Sequence, residues 1–343
     1  MRAGASARAH AKGWRVLCVV SLCSVVVGIT WIFFGFDPVG LDYGTFWRAS
    51  RLLVSNIYRG PDFAFIYPPS ALWILQPLKV VGWLDGYLLT TAFSIVLFVY
   101  SVKRLDGWRI AGASLLSSAA IQGLALGQTP MIIAALMLLS VNLNSTWRGA
   151  AFGALATIKP QLLLTAPFIF VARKDWAGLF GMLGGATVSL IFSVAVWGLQ
   201  PWNDWLNFLP QFREFLHVKL VIGSTITLAG QADAAGLNPI PFLLLQVLGA
   251  SFLALRIPPD AHGSALVAWI VGTSTMASPY SLTHDTVALM PAVITSIVML
   301  NWRSLPATLL YLGWAVHLTL PAYLVAQLLQ QDDAEIESSL PSK

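Results

Sequence analysis

The chain has 343 residues, 57% hydrophobic and 10% charged, with a net charge of +5. A water-soluble domain carries roughly 25% charged residues, so this chain has too few to cover a core in water. The basic residues fall in short clusters between apolar runs, which gives no nucleic-acid footprint and fits the loops of a polytopic helical membrane protein.

No Lys, Arg, Asp or Glu occurs between Arg15 and Asp37, Arg109 and Arg148, Asp175 and Asp204, or Asp233 and Arg256, or from Ser304 to Gln331. Each window can hold a crossing, which takes about 20 residues. The first apolar run follows Arg2, Arg8, Lys12 and Arg15 and ends in bulky "WIFFGF" with no small-residue cleavage site. It reads as a retained anchor over 14–36. Cys18 and Cys23 lie inside it and show no metal-ligand spacing. Further spans are expected near 86–102, 110–127, 129–145, 149–172, 176–199, 237–256, 263–281, 284–301 and 305–330. The stretch 67–83 reads as a helix along the interface. The basic loops at Lys103/Arg104/Arg109, Arg148, Arg173/Lys174, Arg256 and Arg303 are then all cytoplasmic.

That assignment makes 149–172 enter and leave on one side. Lys159 and Pro160 interrupt this segment, "AFGALATIKPQLLLTAPFIFVARK" (151–174), and leave arms too short for an untilted crossing. A hairpin is expected, with Lys159 at its tip at membrane depth and Pro160 suiting the turn because it has no N–H to leave unpaired. The same walk puts the loop 37–67, "GQTP" (127–130), "SPYSLTHD" (278–285) and a long Trp-rich loop on the side of that tip. The expected architecture is a single all-α, polytopic integral membrane domain over 1–331. Its first extracytoplasmic loop (37–69) carries an interfacial helix, its second spans 200–236, and a disordered acidic tail covers 332–343.

Ionisable residues in spans default to a functional reading, and a buried ammonium is a natural phosphate ligand, so Lys159 is the first candidate. Its alternatives are snorkelling to the headgroups or pairing with a carboxylate. Asp42 precedes an amphipathic stretch in which Phe46, Trp47, Ala49, Leu52 and Leu53 share a face, and from the residues alone it is first a helix cap. His284 and Asp285 open a span, where a helix N-terminus favours anions; Ser281 or Thr283 capping is the plain alternative. Gln128 can cap or bridge helices, and Lys219 reads as a surface charge. Gly149 and Gly153 read as helix packing. No Walker loop, zinc spacing, dinucleotide fingerprint or nucleophile elbow occurs.

Taken in order, "LDYGTFWRASRLL", "YPPSALWILQPL", "GQTP", "IKPQ" and "SPYSLTHD…LMP" resemble glycosyltransferase family 87, the polyprenol-phosphate-mannose-dependent mannosyltransferases. The resemblance runs from about residue 40 to 300. It implies a GT-C-type fold with about 10–12 transmembrane helices. It also implies sugar transfer from a polyprenyl-phosphate donor to a glycolipid or glycan acceptor outside the inner (plasma) membrane, with membrane lipids as surroundings and no nucleic acid. Asp42 matches the family's base, Lys159 the Lys of its "KP" and Gln128 the Gln of its "GQ". Tyr67, His284, Arg48, Lys219 and Asp285 complete the expected donor-phosphate and substrate contacts. Leu282 and Asp285 depart from the family's His-pair version of the last motif, which leaves the role of Asp285 open. No metal and no cofactor are implied. Two other readings remain: a lipid or lipid-linked-sugar flippase, and an enzyme of the same fold using another lipid-linked sugar.

Overall fold

The computed structural model describes residues 2–33, 39–52, 54–58, 65–218, 224–299, 304–313 and 315–339. No strand occurs among them. The chain opens with α1 (Arg2–Phe33) and a short α2 (Leu41–Arg51). Residues 69–80 form three short pieces, with α3 (Leu72–Leu75) between two 3-10 turns, so 67–83 does not cross as one helix. Then come α4 (Trp83–Asp106), α5 (Trp108–Leu115), α6 (Ser118–Leu126) and α7 (Pro130–Ser140). α8 (Ser145–Ile158), α9 (Ala166–Ala172) and α10 (Trp176–Trp197) follow. The rest is α11 (Gln200–Val218), α12 (Leu228–Ala234), α13 (Pro239–Leu255), α14 (Gly263–Ala277), α15 (Met290–Val298), α16 (Ser304–Tyr311) and α17 (Val316–Ser339).

Among the described residues three helical stretches are long and apolar enough to cross a membrane: His10–Thr30, Trp83–Asp106 and Trp176–Trp197. α5 and α6 make a fourth when taken together, bent by 60°. The bend has a local cause: Ser117 leaves helical geometry to cap α6, its Oγ accepting the Ala120 N–H at 3.3 Å. Most of the other expected spans are present as apolar helices of 10–17 residues. The chain is thus an all-α polytopic membrane protein.

Two expectations need correction. Residues 200–218, read as part of a long loop, are the helix α11. Residues 332–339, read as disordered tail, continue α17. In the second case Asp332, Asp333, Glu335 and Glu337 are charged, but Ala334 and the two glutamates are good helix formers, so polarity did not break the helix.

The hairpin is present. α8 and α10 run parallel, from Gly149 beside Gly178 to Thr157 beside Ser189, whose hydroxyls meet at 2.7 Å. The chain between them turns at Lys159–Pro160 and returns through α9. Both ends therefore lie together, where Arg148 donates to Asp175 at 2.8 Å and Ser145 also donates to Asp175. Backbones touch along this seam because the residues are small. A Cβ on Gly149 would overlap the Gly178 carbonyl, and one on Gly185 would overlap that of Ala150.

At the same end Arg173 donates to the Ala261 carbonyl at 2.6 Å, and Ser264 to Asp106 at 2.9 Å. The loops after α4, α9 and α13 are therefore neighbours, as their shared basic character suggests. From that end α8 rises about 21 Å to Lys159 at the opposite end.

Candidate active site

α2 begins on Gly40, whose φ of 74° is left-handed. The Gly40 N–H donates to the Ala125 carbonyl at 2.7 Å, tying the start of α2 to the end of α6. Gly127, at φ 73°, ends α6, and a Cβ there would strike Tyr43. These two turns bring Asp42 against Gln128, whose Nε2 donates to Asp42 Oδ2. Asp42 lies in the first turn of α2 and the N-cap position belongs to Gly40, so Asp42 is not the cap residue. The buried face of α2 is Tyr43, Phe46, Ala49 and Ser50. It differs from the expected one: Leu52 is exposed, and Leu53 lies outside the described residues. That face packs on protein. Tyr43 meets the rings of Trp83 and Tyr87, and Phe46 those of Phe65 and Tyr67.

Tyr67 is the link between two polar pairs. Its hydroxyl donates to Gln128 Oε1 at 3.1 Å and lies 3.1 Å from Thr129 Oγ1. Its ring lies 5.5 Å from Lys159 Nζ. Its own carbonyl accepts from the Tyr58 hydroxyl at 2.7 Å, and Ser70 Oγ donates to the Thr157 carbonyl, fixing this segment against the top of α8. Past the tip, Thr165 is pinned to α14. Its N–H donates to Ser274 Oγ at 3.0 Å, and its hydroxyl lies 2.6 Å from that of Thr273.

Lys159 is 2% exposed and forms an ion pair of 2.5 Å with Asp285, also 2% exposed. The snorkelling alternative is excluded, and the carboxylate alternative has its partner. Asp285 Oδ2 accepts the Leu282 N–H at 3.0 Å, so Asp285 rather than Ser281 or Thr283 ties down the start of the 3-10 turn Thr283–Leu289. Buried His284 places Nε2 3.9 Å from Asp285. One polar chain thus runs Asp42–Gln128–Tyr67–Lys159–Asp285–His284, drawn from five separate segments. Arg48 is exposed, on a face of α2 about 120° from Asp42. Lys219 lies outside the described residues.

An apolar groove of about 230 Å³ flanks this chain. Tyr67, Pro160 and Leu164 line one wall, Trp205, Phe208 and Phe212 of α11 a second, and the strap Ser278–Tyr280 a third. α11 is held there by Trp205 Nε1 donating to the Ile66 carbonyl at 3.1 Å and by Phe212 packing edge-on to Tyr280, centroids 5.4 Å apart. Tyr280 is within electrostatic reach of both Asp42 and Asp285. The reading of the sequence did not single it out, nor the aromatic face of α11. The 205/208/212 spacing is helical and was the available signal. Among the described residues no group of three His, Cys, Asp or Glu is placed to hold a metal ion. Chemically the arrangement offers a carboxylate that can accept a proton, a buried ammonium, and an apolar trough beside them.

The apolar helices set this polar chain in a membrane protein, and sequence comparison gives the family. The profile of glycosyltransferase family 87 matches residues 65–279, more than half of the chain. The chain belongs to that family and is a membrane glycosyltransferase, working between a sugar donor and an acceptor. The matched span contains Tyr67, Gln128, Lys159 and Lys219; Asp42, Arg48, His284 and Asp285 lie outside it. No curated protein and no solved structure matches the chain.

Proposed function

We propose that the chain moves a sugar, with mannose the first candidate, from a polyprenyl-phosphate donor to an acceptor hydroxyl on the extracytoplasmic side of the cell membrane, in a GT-C-type fold. The observation that carries this reading is the chain of contacts from the Asp42 carboxylate to the Lys159 ammonium beside an apolar groove. A base and an anion ligand held a few side chains apart, next to a trough for a hydrocarbon chain, suit a lipid-phosphate sugar donor.

In this reading the prenyl chain lies in the groove and its phosphate reaches Lys159. An ammonium has three donors, and Asp285 and the phosphate can share them. Asp285 is then a positioning residue that holds Lys159 at the tip, which answers the question left by the departure in the last motif. The acceptor oxygen attacks the anomeric carbon on the face opposite the phosphate. Its proton passes to Asp42, the C–O bond to phosphate breaks, and the electron pair leaves with the phosphate. The transition state is oxocarbenium-like, with charge growing on the leaving oxygens where Lys159 can meet it. One displacement inverts the anomeric centre, so a β-linked donor gives an α-linked product. His284 and Gln128 complete the setting, Gln128 by orienting Asp42.

The test is transfer of labelled mannose from synthetic polyprenyl-phosphate-mannose by purified protein, with membrane extract as acceptor. Labelled product from the wild type that vanishes with Lys159→Ala supports the reading. Product from another lipid-linked sugar and none from this donor overturns the mannose assignment, and product undiminished by Lys159→Ala overturns the role of Lys159.

A further inference from the structure

The groove beside Lys159 carries four polar side chains, Tyr67, Gln161, Ser278 and Tyr280, among its apolar and aromatic ones. Two of the four are engaged within the protein. The Tyr67 hydroxyl is taken by Gln128 and Thr129. The Ser278 hydroxyl donates to the Tyr280 carbonyl at 2.5 Å and accepts the Tyr280 N–H at 3.2 Å. The other two are not engaged. The Gln161 amide and the Tyr280 hydroxyl have no hydrogen-bond partner among the described residues. Both residues are half-buried in the walls, and their polar ends keep some accessible surface.

Each of the two stands on a fixed backbone. Gln161 lies in the 3-10 turn Pro160–Leu162, two residues past Lys159. The N–H groups of Leu162 and Leu163 close that turn on the Lys159 and Pro160 carbonyls at 3.2 and 2.9 Å, and both leucines are 1% exposed. The strap under Tyr280 is gripped at four successive carbonyls. That of Ser278 accepts from Gln246 Nε2 at 2.6 Å and that of Pro279 from Thr227 Oγ1 at 3.1 Å. That of Tyr280 accepts from Ser278, and that of Ser281 accepts the Ile226 N–H at 2.8 Å. The positions of both side chains are therefore set before a ligand arrives, which lowers the cost of binding one. Tyr280 is within electrostatic reach of Asp42 and Asp285, and Gln161 follows Lys159 closely, so a ligand touching both lies beside the Asp42–Lys159 chain.

We propose that Gln161 and Tyr280 hold the donor's sugar ring by its hydroxyls and decide which sugar is accepted. This assignment rests on the transfer reaction proposed above. The amide offers both a donor and an acceptor, and so does the phenol hydroxyl. Two neutral groups on different walls suit a neutral, hydroxyl-bearing ring and leave the anionic phosphate to Lys159. Leu164 and Leu209 line the same groove and are 42% and 41% exposed, which gives the prenyl chain a way out to the apolar surface of the helices. A site built to hydrogen-bond a hydroxyl discriminates against a sugar that lacks it or turns it elsewhere.

The test separates the sugar from its carrier. Purified protein in mixed micelles is titrated with synthetic polyprenyl phosphate, polyprenyl-phosphate-mannose and polyprenyl-phosphate-glucose. Tryptophan fluorescence reports binding, since Trp205 lines the groove. The quantity read is the ratio of affinity with the sugar to affinity without it. In the wild type this ratio should be about tenfold or more for at least one sugar. Tyr280→Phe removes only the hydroxyl and keeps the ring on Phe212, while Gln161→Ala removes the amide. Each should lower the ratio about 3–10-fold, the size of one neutral hydrogen bond, with binding of polyprenyl phosphate unchanged. A wild-type ratio of one for both sugars overturns the subsite. So do variants that leave the ratio unchanged, or that weaken all three probes alike, as a merely structural role would. A ratio that behaves as expected, with no transfer in the labelled-mannose assay, faults the reaction and leaves the sugar contacts standing.

Discussion

Replacing Lys159 with methionine keeps the length of the side chain and removes its charge. At 2.5 Å and an effective dielectric constant of ~20, the attraction between Lys159 and Asp285 is about 7 kcal/mol. Burying the two charges costs several kcal/mol each, so the pair adds little net stability over two well-packed neutral groups. Breaking it is different. Lys159→Met leaves the Asp285 carboxylate buried with the Leu282 N–H as donor and the His284 ring 3.9 Å away, and a destabilisation of about 3–5 kcal/mol is expected. Asp285→Asn strands the ammonium and should cost a similar amount. The double variant Lys159→Met/Asp285→Asn removes both charges and should recover most of the loss, giving a coupling of at least ~2 kcal/mol. Unfolding of the purified protein in mixed micelles, followed by tryptophan fluorescence, measures all three variants. Strictly additive losses, or a Lys159→Met variant within ~0.5 kcal/mol of wild type, would refute the claim that Asp285 anchors Lys159. The same set separates stability from chemistry: the double variant should be folded yet unable to transfer sugar.

Asp42→Asn should lower transfer by about 10²–10⁴-fold while leaving the unfolding midpoint nearly unchanged; undiminished turnover would remove Asp42 as the base. Gly153→Leu forces apart α8 and α10, since a Cβ there overlaps the Met182 carbonyl, and should destabilise by at least about 1–3 kcal/mol in the micelle assay. At the other end, burial alone would raise the Asp175 carboxyl, but hydrogen bonds from Ser145, the Gly178 N–H and Arg148, with the charge of Arg148, hold it below the ordinary carboxylate range. Its contribution is therefore full above the unfolded value of about 3.9 and fades as pH falls through the lower folded value, so the stability gap between wild type and Asp175→Asn should close as pH drops from about 5 toward that value. A gap that is flat or widens with acid would contradict the hydrogen-bonding account.

The hairpin was legible because charge placement constrains topology without any knowledge of packing. Fixing Arg148 and Arg173 on one side left 149–172 nowhere to go but back, and the Arg148–Asp175 pair closes the hairpin's mouth. Lys159 was legible for a related reason, since a lone cation in apolar chain stands out. Its partner was not, because Asp285 lies more than a hundred residues further on and ion pairing leaves no mark on local spacing. The Tyr67–Gln128 bond, 61 residues apart in sequence, was hidden in the same way. α11 was missed because prolines, tryptophans and polar residues together read as loop. Its Pro210 sits inside the helix, and only the aromatic spacing betrayed the period.

The glycine seam has a consequence for where the chemistry can occur. With carbonyls of one helix against α-carbons of the other at Gly149, Gly153, Gly181 and Gly185, no side chain separates α8 from α10 at these four contacts and little slack can gather. The two helices act as a vernier, each turn of one read against a turn of the other. Adding one residue to either would rotate everything beyond it by about 100° and turn the glycines out of register. The depth of Lys159 is therefore inherited from the seam: the ammonium stands where the count of turns from Arg148 puts it, and the groove beside it is built to that height.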